Sequence, residues 1–220
     1  MKKFFFICLC FLSSLVHAQG AGSWLVQGGI TRMTPHVSSG AFSAPSPANT
    51  TLDVSGDTQL TGQITYIYDD HWAVAVPLSQ GFKHKLYGNG GLAGVGQVGS
   101  VHVLPVTVMG QYRWNDTQAA WRPYVTAGLT YARFYDAQGS AVLSANNPAN
   151  PPGGKTGLNM DSTWAPSVGF GVSVRLNDRW FMDASYAHGF LKTTTHLSTG
   201  QSMNLRLDPD KFNLAIGTSF

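Results

Sequence analysis

Serine, histidine and cysteine are the side chains that could do covalent chemistry here, and their spacing argues against it. Ser185-Tyr186-Ala187-His188 sets a potential nucleophile three residues from a potential base. In a strand that odd separation sends the two to opposite faces, so the histidine cannot take the serine proton. His36, His71, His84, His102 and His196 have no partners at metal-ligand spacing. Cys8 and Cys10 both fall inside an N-terminal apolar run, so a chain that loses this run carries no disulfide and no thiol chemistry. The glycine-rich stretch from Gly88 to Gly99 contains no lysine and leads into no helical pattern, so it is not a phosphate cradle. No catalytic residue, metal or cofactor is expected.

The N-terminal run has the form of an export signal. Lys2 and Lys3 precede the apolar residues Phe4 to Leu12, and Leu15-Val16-His17-Ala18 ends on a small residue. This predicts a signal peptide over 1–18 and one domain over 19–220. The apolar run is too short for a spanning helix, which needs about 20 residues. Loss of Lys2 and Lys3 lowers the formal charge from +3 to +1, far from the basic character of a nucleic-acid binder. Charged residues make up only 11% of the chain, against roughly a quarter in soluble domains. That deficit, with 25 glycines and no later apolar helix, favours a membrane β-barrel over a secreted β-sandwich.

Alternation supports the same class. Phe212, Leu214, Ile216 and Phe220 share one face of a strand, and Asn213, Ala215, Gly217 and Ser219 share the other. Comparable stretches begin near Trp24, Gln59, Trp72, Val103, Tyr124, Thr163 and Trp180. The reading is an all-β, eight-stranded antiparallel transmembrane β-barrel with lipid outside. Long connections near 35–51, 88–99 and 137–160 are expected outside the cell, and short turns in the periplasm. The last outer connection, near Ser198 to Gln201, is expected to be short. Trp24, Trp72, Trp114, Trp121, Trp180 and Phe220 then fall at the periplasmic rim, where amphipathic rings form a girdle. Trp164 lies toward the other rim. Pro77 cannot donate to a ladder, so a break is expected there.

Four motifs carry a resemblance to a known family of membrane proteins. Phe82-Lys83-His84-Lys85 is similar to F-[RK]-H-K, and Val101 to Met109 is similar to V-H-x-L-P-P-T-L with Val106 in place of the second proline. Arg122 to Tyr131 is similar to R-P-Y-V-G-A-G-x-N-Y, with Thr126 and Thr130 replacing Gly and Asn. Arg206-Leu207-Asp208-Pro209 is similar to R-L-D-P. Together, in this order, these motifs resemble the OmpW family of outer-membrane proteins, which implies a Gram-negative outer membrane and a narrow, unusually apolar lumen that passes small hydrophobic compounds.

An eight-stranded interior is filled by side chains or holds one small ligand. The inward positions Leu25, Met33, Pro77, Met109, Phe134, Phe181 and Leu191 are the candidate lining. Arg113, Arg175, Asp183 and Gln111 are candidates for a polar plug in the periplasmic half, which either stiffens the barrel or blocks straight passage. Solutes would then leave sideways, near Pro77 or Pro105. The expected partners are outer-membrane lipids, lipopolysaccharide phosphates near Lys83 and Lys85, small hydrophobic solutes, and the barrel-assembly machinery reading the C-terminal Phe220. The alternative is a non-transporting barrel that acts as an adhesin, a receptor or a structural membrane protein through its outer loops.

Overall fold

The computed structural model describes residues 19–220, so the signal peptide expected over 1–18 lies outside the described residues. The chain enters at the periplasmic rim with β1 (Trp24–Thr34) and rises into an outer segment holding β2 (Ser38–Ser39) and β3 (Thr51–Val54). It descends as β4 (Asp57–Ile67) and rises again as β5 (Trp72–Ser79) and β6 (Phe82–Asn89). The next pair is β7 (Gln97–Arg113) and β8 (Trp121–Gly139), followed by a short helix, α1 (Ala141–Ala145), and β9 (Leu158–Met160). Then come β10 (Thr163–Arg175) and β11 (Trp180–Gly189), the outer strands β12 (Lys192–Leu197) and β13 (Ser202–Arg206), and β14 (Asp210–Ser219).

Eight of these strands close a ring in the order β1, β4, β5, β7, β8, β10, β11, β14 and back to β1, every neighbour antiparallel. Closure matters because lipid offers no partner to an open edge. The seam is tight, with Leu25 opposite Ser219 and Thr34 opposite Asp210. Trp24 and Phe220 also exchange backbone hydrogen bonds of 2.9 and 3.1 Å. Alternation holds around the wall. Phe212, Leu214 and Ile216 are exposed, as are Leu60, Val106, Leu129 and Phe170 on other strands. Such an apolar outer surface would be a liability in water and is the requirement in a bilayer.

Short turns join the strands at the periplasmic rim. In one, Asp69 accepts the backbone N–H groups of His71 and Trp72, both at 2.8 Å, which hold its carboxyl below the usual carboxylate range. All six rim aromatics expected in the girdle are exposed. Trp24 lies 4.9 Å from Tyr66, and Trp72 and Trp114 flank Tyr112 at 5.1 and 5.4 Å.

The outer side is larger than the sequence suggests. β12 and β13 form a hairpin that joins β2 and β9 in a separate four-stranded sheet. The expected short last connection is therefore a folded element. Lys192-Thr193-Thr194-Thr195-His196 lacks an apolar face strong enough to announce a strand. Above the barrel, β3 and β6 extend the wall beside the long strands β7 and β8. Phe42, Leu86, Phe134, Leu143, Leu197 and Leu205 belong to the apolar cluster that fills the space beneath this cap.

The third wall strand is broken. β5 pairs with β7 only from Trp72 opposite Tyr112 to Ala75 opposite Met109. Pairing resumes with β6, at Phe82 opposite Val103. Between those points the segment Val76 to Gly81 has no ladder partner on β7. Pro77 sits in this stretch and Pro105 faces it, each without a backbone donor. Gly81 makes the bend with φ of 102°, a conformation that favours glycine. The Tyr135 hydroxyl donates to the Gln80 carbonyl at 3.2 Å and braces the bend from β8.

Candidate functional site

The interior has three parts: a floor, a cavity and an apolar upper section. The floor is built at the periplasmic ends of the strands. Arg113 is the last residue of β7, and its guanidinium is almost wholly buried. It donates from Nη2 to Gln19 Oε1 and Ser173 Oγ, both at 3.0 Å, and from Nη1 to Gln111 Oε1 at 3.2 Å. Ser173 passes the link on, donating to Asp183 Oδ2 at 2.9 Å. The Tyr124 hydroxyl donates to Asp183 Oδ1 at 2.9 Å, and its ring lies 5.2 Å from the Arg113 guanidinium carbon. Arg113 and Asp183 thus meet through Ser173 and Tyr124 rather than directly. Such bonds make interior charge tolerable, and of the Arg113 nitrogens only Nε is left without a partner.

Tyr124 needs space that a small residue provides. A Cβ on Gly171 would stand 2.5 Å from the Tyr124 ring. Across the floor Leu25, Ile67, Ala73 and Phe181 form an apolar cluster. A Cβ on Gly217 would lie 2.4 Å from Phe181 Cζ, so the small face of β14 makes room for this ring.

The structure brings Gln111, Arg113 and Asp183 together and leaves Arg175 out. Arg175 lies at the rim and donates to Gln118 Oε1 in a periplasmic turn at 2.9 Å. Arg122 takes the interior place instead. It donates from Nη1 to the Gln19 carbonyl at 2.8 Å and from Nη2 to the Asp70 carbonyl. Extending the inward parity of Tyr124 back by two residues would have found Arg122. Ser173 has the same inward parity, whereas Gln19 precedes any periodic stretch and carries no such signal.

Above the floor lies a cavity of about 90 Å³. Pro77 and Met109 line it, with Gln27, Thr31, Gln63 and Lys211 among the other walls. Leu78 and Pro105 also border it, so the cavity reaches the unpaired stretch of the wall. Higher still is a space of about 20 Å³ lined by Met33, His84, Phe134, Leu191 and Pro209. The seven candidate lining residues therefore divide by height. Leu25 and Phe181 belong to the floor, Pro77 and Met109 to the cavity, and Met33, Phe134 and Leu191 to the upper section. His84 is turned inward, with Nδ1 2.6 Å from the Ser55 carbonyl, while Lys83 and Lys85 are exposed outside.

Ser185 lines the cavity and His188 faces outward, with Nδ1 2.7 Å from Asp210 Oδ1. They do not form a nucleophile–base pair. Among the described residues no cluster of three metal-ligating side chains occurs.

The sequence model of the OmpW family matches residues 20–220. The chain belongs to the OmpW family. It is 31% identical to outer membrane protein W of Salmonella typhi over the whole length of both chains. It is 30% identical to outer membrane protein W of Vibrio cholerae, covering 94% of this chain and 93% of that one. Its fold matches the crystal structure of the outer membrane protein OprG from Pseudomonas aeruginosa with a TM-score of 0.83. That match has 22% identity and covers 93% of this chain and 99% of the other. This OmpW-family barrel is an outer-membrane protein of Gram-negative type, embedded among lipids.

Proposed function

We propose that this OmpW-family barrel takes up small hydrophobic molecules from outside and releases them sideways into the outer membrane. The observation that carries this reading is the gap in the β5–β7 ladder at the height of the cavity, above a floor closed by Arg113, Arg122, Tyr124 and Phe181. An apolar solute gains little from water below the floor and much from lipid beyond the wall. The upper section is apolar, so a solute passing from Met33 and Phe134 to Met109 keeps its contacts throughout. At Pro77 and Pro105 no donor need be uncovered to part the strands, so widening there exposes fewer unpaired backbone groups than elsewhere.

Two partners belong to the same reading. Lys83 and Lys85 stand outside at the upper wall, where their ammonium groups suit lipopolysaccharide phosphates. Phe220, on the lipid face of the closing strand, suits recognition by the assembly machinery.

The test is to let the gap pair. Pro77→Val with Pro105→Val restores both donors and favours a continuous ladder. Uptake of a hydrophobic fluorophore by proteoliposomes should fall at least threefold. Unchanged uptake by the correctly folded variant sinks the lateral route. No protein-dependent uptake by the native chain would favour the adhesin or structural reading.

A further inference from the structure

The cavity is not uniformly apolar. Pro77, Leu78, Phe82 and Met109 bring apolar surface from β5, β6 and β7. Strands β1, β4 and β14 bring hydroxyls, amides and a single ammonium group. The hydroxyls and amides are largely occupied with one another. Thr31 Oγ1 lies 2.7 Å from Thr61 Oγ1 and donates to Asn213 Oδ1 at 3.0 Å, and Gln63 Nε2 donates to Thr65 Oγ1 at 3.0 Å.

Lys211 is different. It precedes the lipid-facing Phe212, so alternation turns it into the barrel, where it borders the cavity. Its register partners are Ala187 and Met33, and neither side chain offers it a strong acceptor. No hydrogen bond or ion pair engages its ammonium among the described residues. The lumen-side carboxylate on the same row is Asp57, opposite Met33 and two strands away. Its oxygens accept from Gln59 Nε2 and from the backbone N–H groups of Thr58 and Lys83, each at 2.8 Å. Asp210, next in sequence, points the other way, to His36, Tyr186 and His188.

A partly buried ammonium with three donors and no acceptor is costly unless a ligand supplies one. We propose that the cavity binds small amphipathic carboxylates, the head group on Lys211 and the apolar body against Pro77 and Met109. This rests on the uptake reading, because it uses the same cavity and opening. One cation matches the single charge of a carboxylate better than a phosphate dianion, whose recognition favours clustered or forked donors. Size points the same way. The cavity is about 90 Å³, whereas a cavity that holds benzene is about 150 Å³. The head and first carbons fit inside, and the remaining carbons lie in the opening beside Leu78 and Pro105.

The test compares hexanoate with hexan-1-ol, which share a chain and differ in the head. Binding to the full barrel in lipid nanodiscs is measured calorimetrically against protein-free discs, for the native chain, Lys211→Met and Lys211→Arg. The native chain should prefer hexanoate, and the ratio of hexanoate to hexanol affinity should fall about tenfold in Lys211→Met, the order expected for one charge-assisted hydrogen bond. Lys211→Arg should keep the ratio within about threefold. Heat-dependent electrophoretic mobility confirms that each variant is folded, and Lys211→Gln replaces Lys211→Met if the latter is not. Hexanol binding without preference for hexanoate, or an unchanged ratio in Lys211→Met, overturns this inference alone. Binding of neither compound to the native barrel overturns it together with the uptake reading.

Discussion

At the scale of single residues, the floor shows how the barrel tolerates charge inside. Arg113 and Asp183 are each almost wholly buried, and each depends on neutral intermediaries to satisfy it. Removing one member leaves the other's charge in a site built for both. Arg113→Met should therefore destabilise the barrel by roughly 3 kcal/mol, and Asp183→Asn by a similar order, as for other broken buried pairs. The double variant should cost clearly less than the sum, because the stranded charge is gone. Urea unfolding in lipid vesicles, followed by tryptophan fluorescence, gives the cycle. A strictly additive result would show that the two groups do not act as one network. These residues were only partly legible from the sequence. Parity placed Gln111, Arg113 and Asp183 inward, but parity is a property of one strand. Which neighbours each side chain reaches depends on the stagger of strands around the ring, and this separates Arg175 from Arg113.

At the scale of elements, the closing strand is the clearest case of sequence dictating structure. Phe212 to Phe220 alternates with only Thr218 breaking the apolar face, and β14 pairs along nearly its whole length with both β1 and β11. The break at Pro77 was also legible, since a missing donor is a local property. The hairpin from Lys192 to Arg206 was not, because distant segments, β2 and β9, complete its sheet and its first strand carries threonines on both faces. The closing strand has a consequence of its own. The ring side chain of Phe220 is half exposed on the lipid face, while its backbone bonds Trp24 at the seam. Deleting Phe220 removes an aromatic from the girdle and two seam hydrogen bonds without touching the cavity. The yield of folded barrel in outer membranes should drop severalfold, scored by heat-dependent mobility. The fraction that does fold should keep native solute uptake. Full assembly without Phe220 would show that the terminus is not read by the machinery.

At the scale of the whole molecule, the ring has an asymmetry along its axis. The outer end is capped by apolar packing between loops, whereas the periplasmic end is closed by side chains held in hydrogen bonds and by a tight apolar cluster. Ions and apolar solutes meet these ends differently. A hydrated ion gains little from the apolar lining of the upper section and would then meet the floor. On the proposed lateral route an apolar solute avoids an ion's dehydration cost and leaves through the wall. The native barrel should therefore pass hydrophobic molecules while showing no stepwise ion conductance in planar bilayers. The floor has two halves, so neither truncation alone should suffice to open it. Arg113→Ala removes the centre of the polar half, and Phe181→Ala removes the ring of the apolar half. Combined, they clear a path from the cavity to the periplasm, and discrete conductance steps should appear that neither single variant gives. Conductance in the native protein would mean that the floor is not a seal. Its absence in the folded double variant would place the ion barrier in the upper section, around Met33, Phe134 and Leu191.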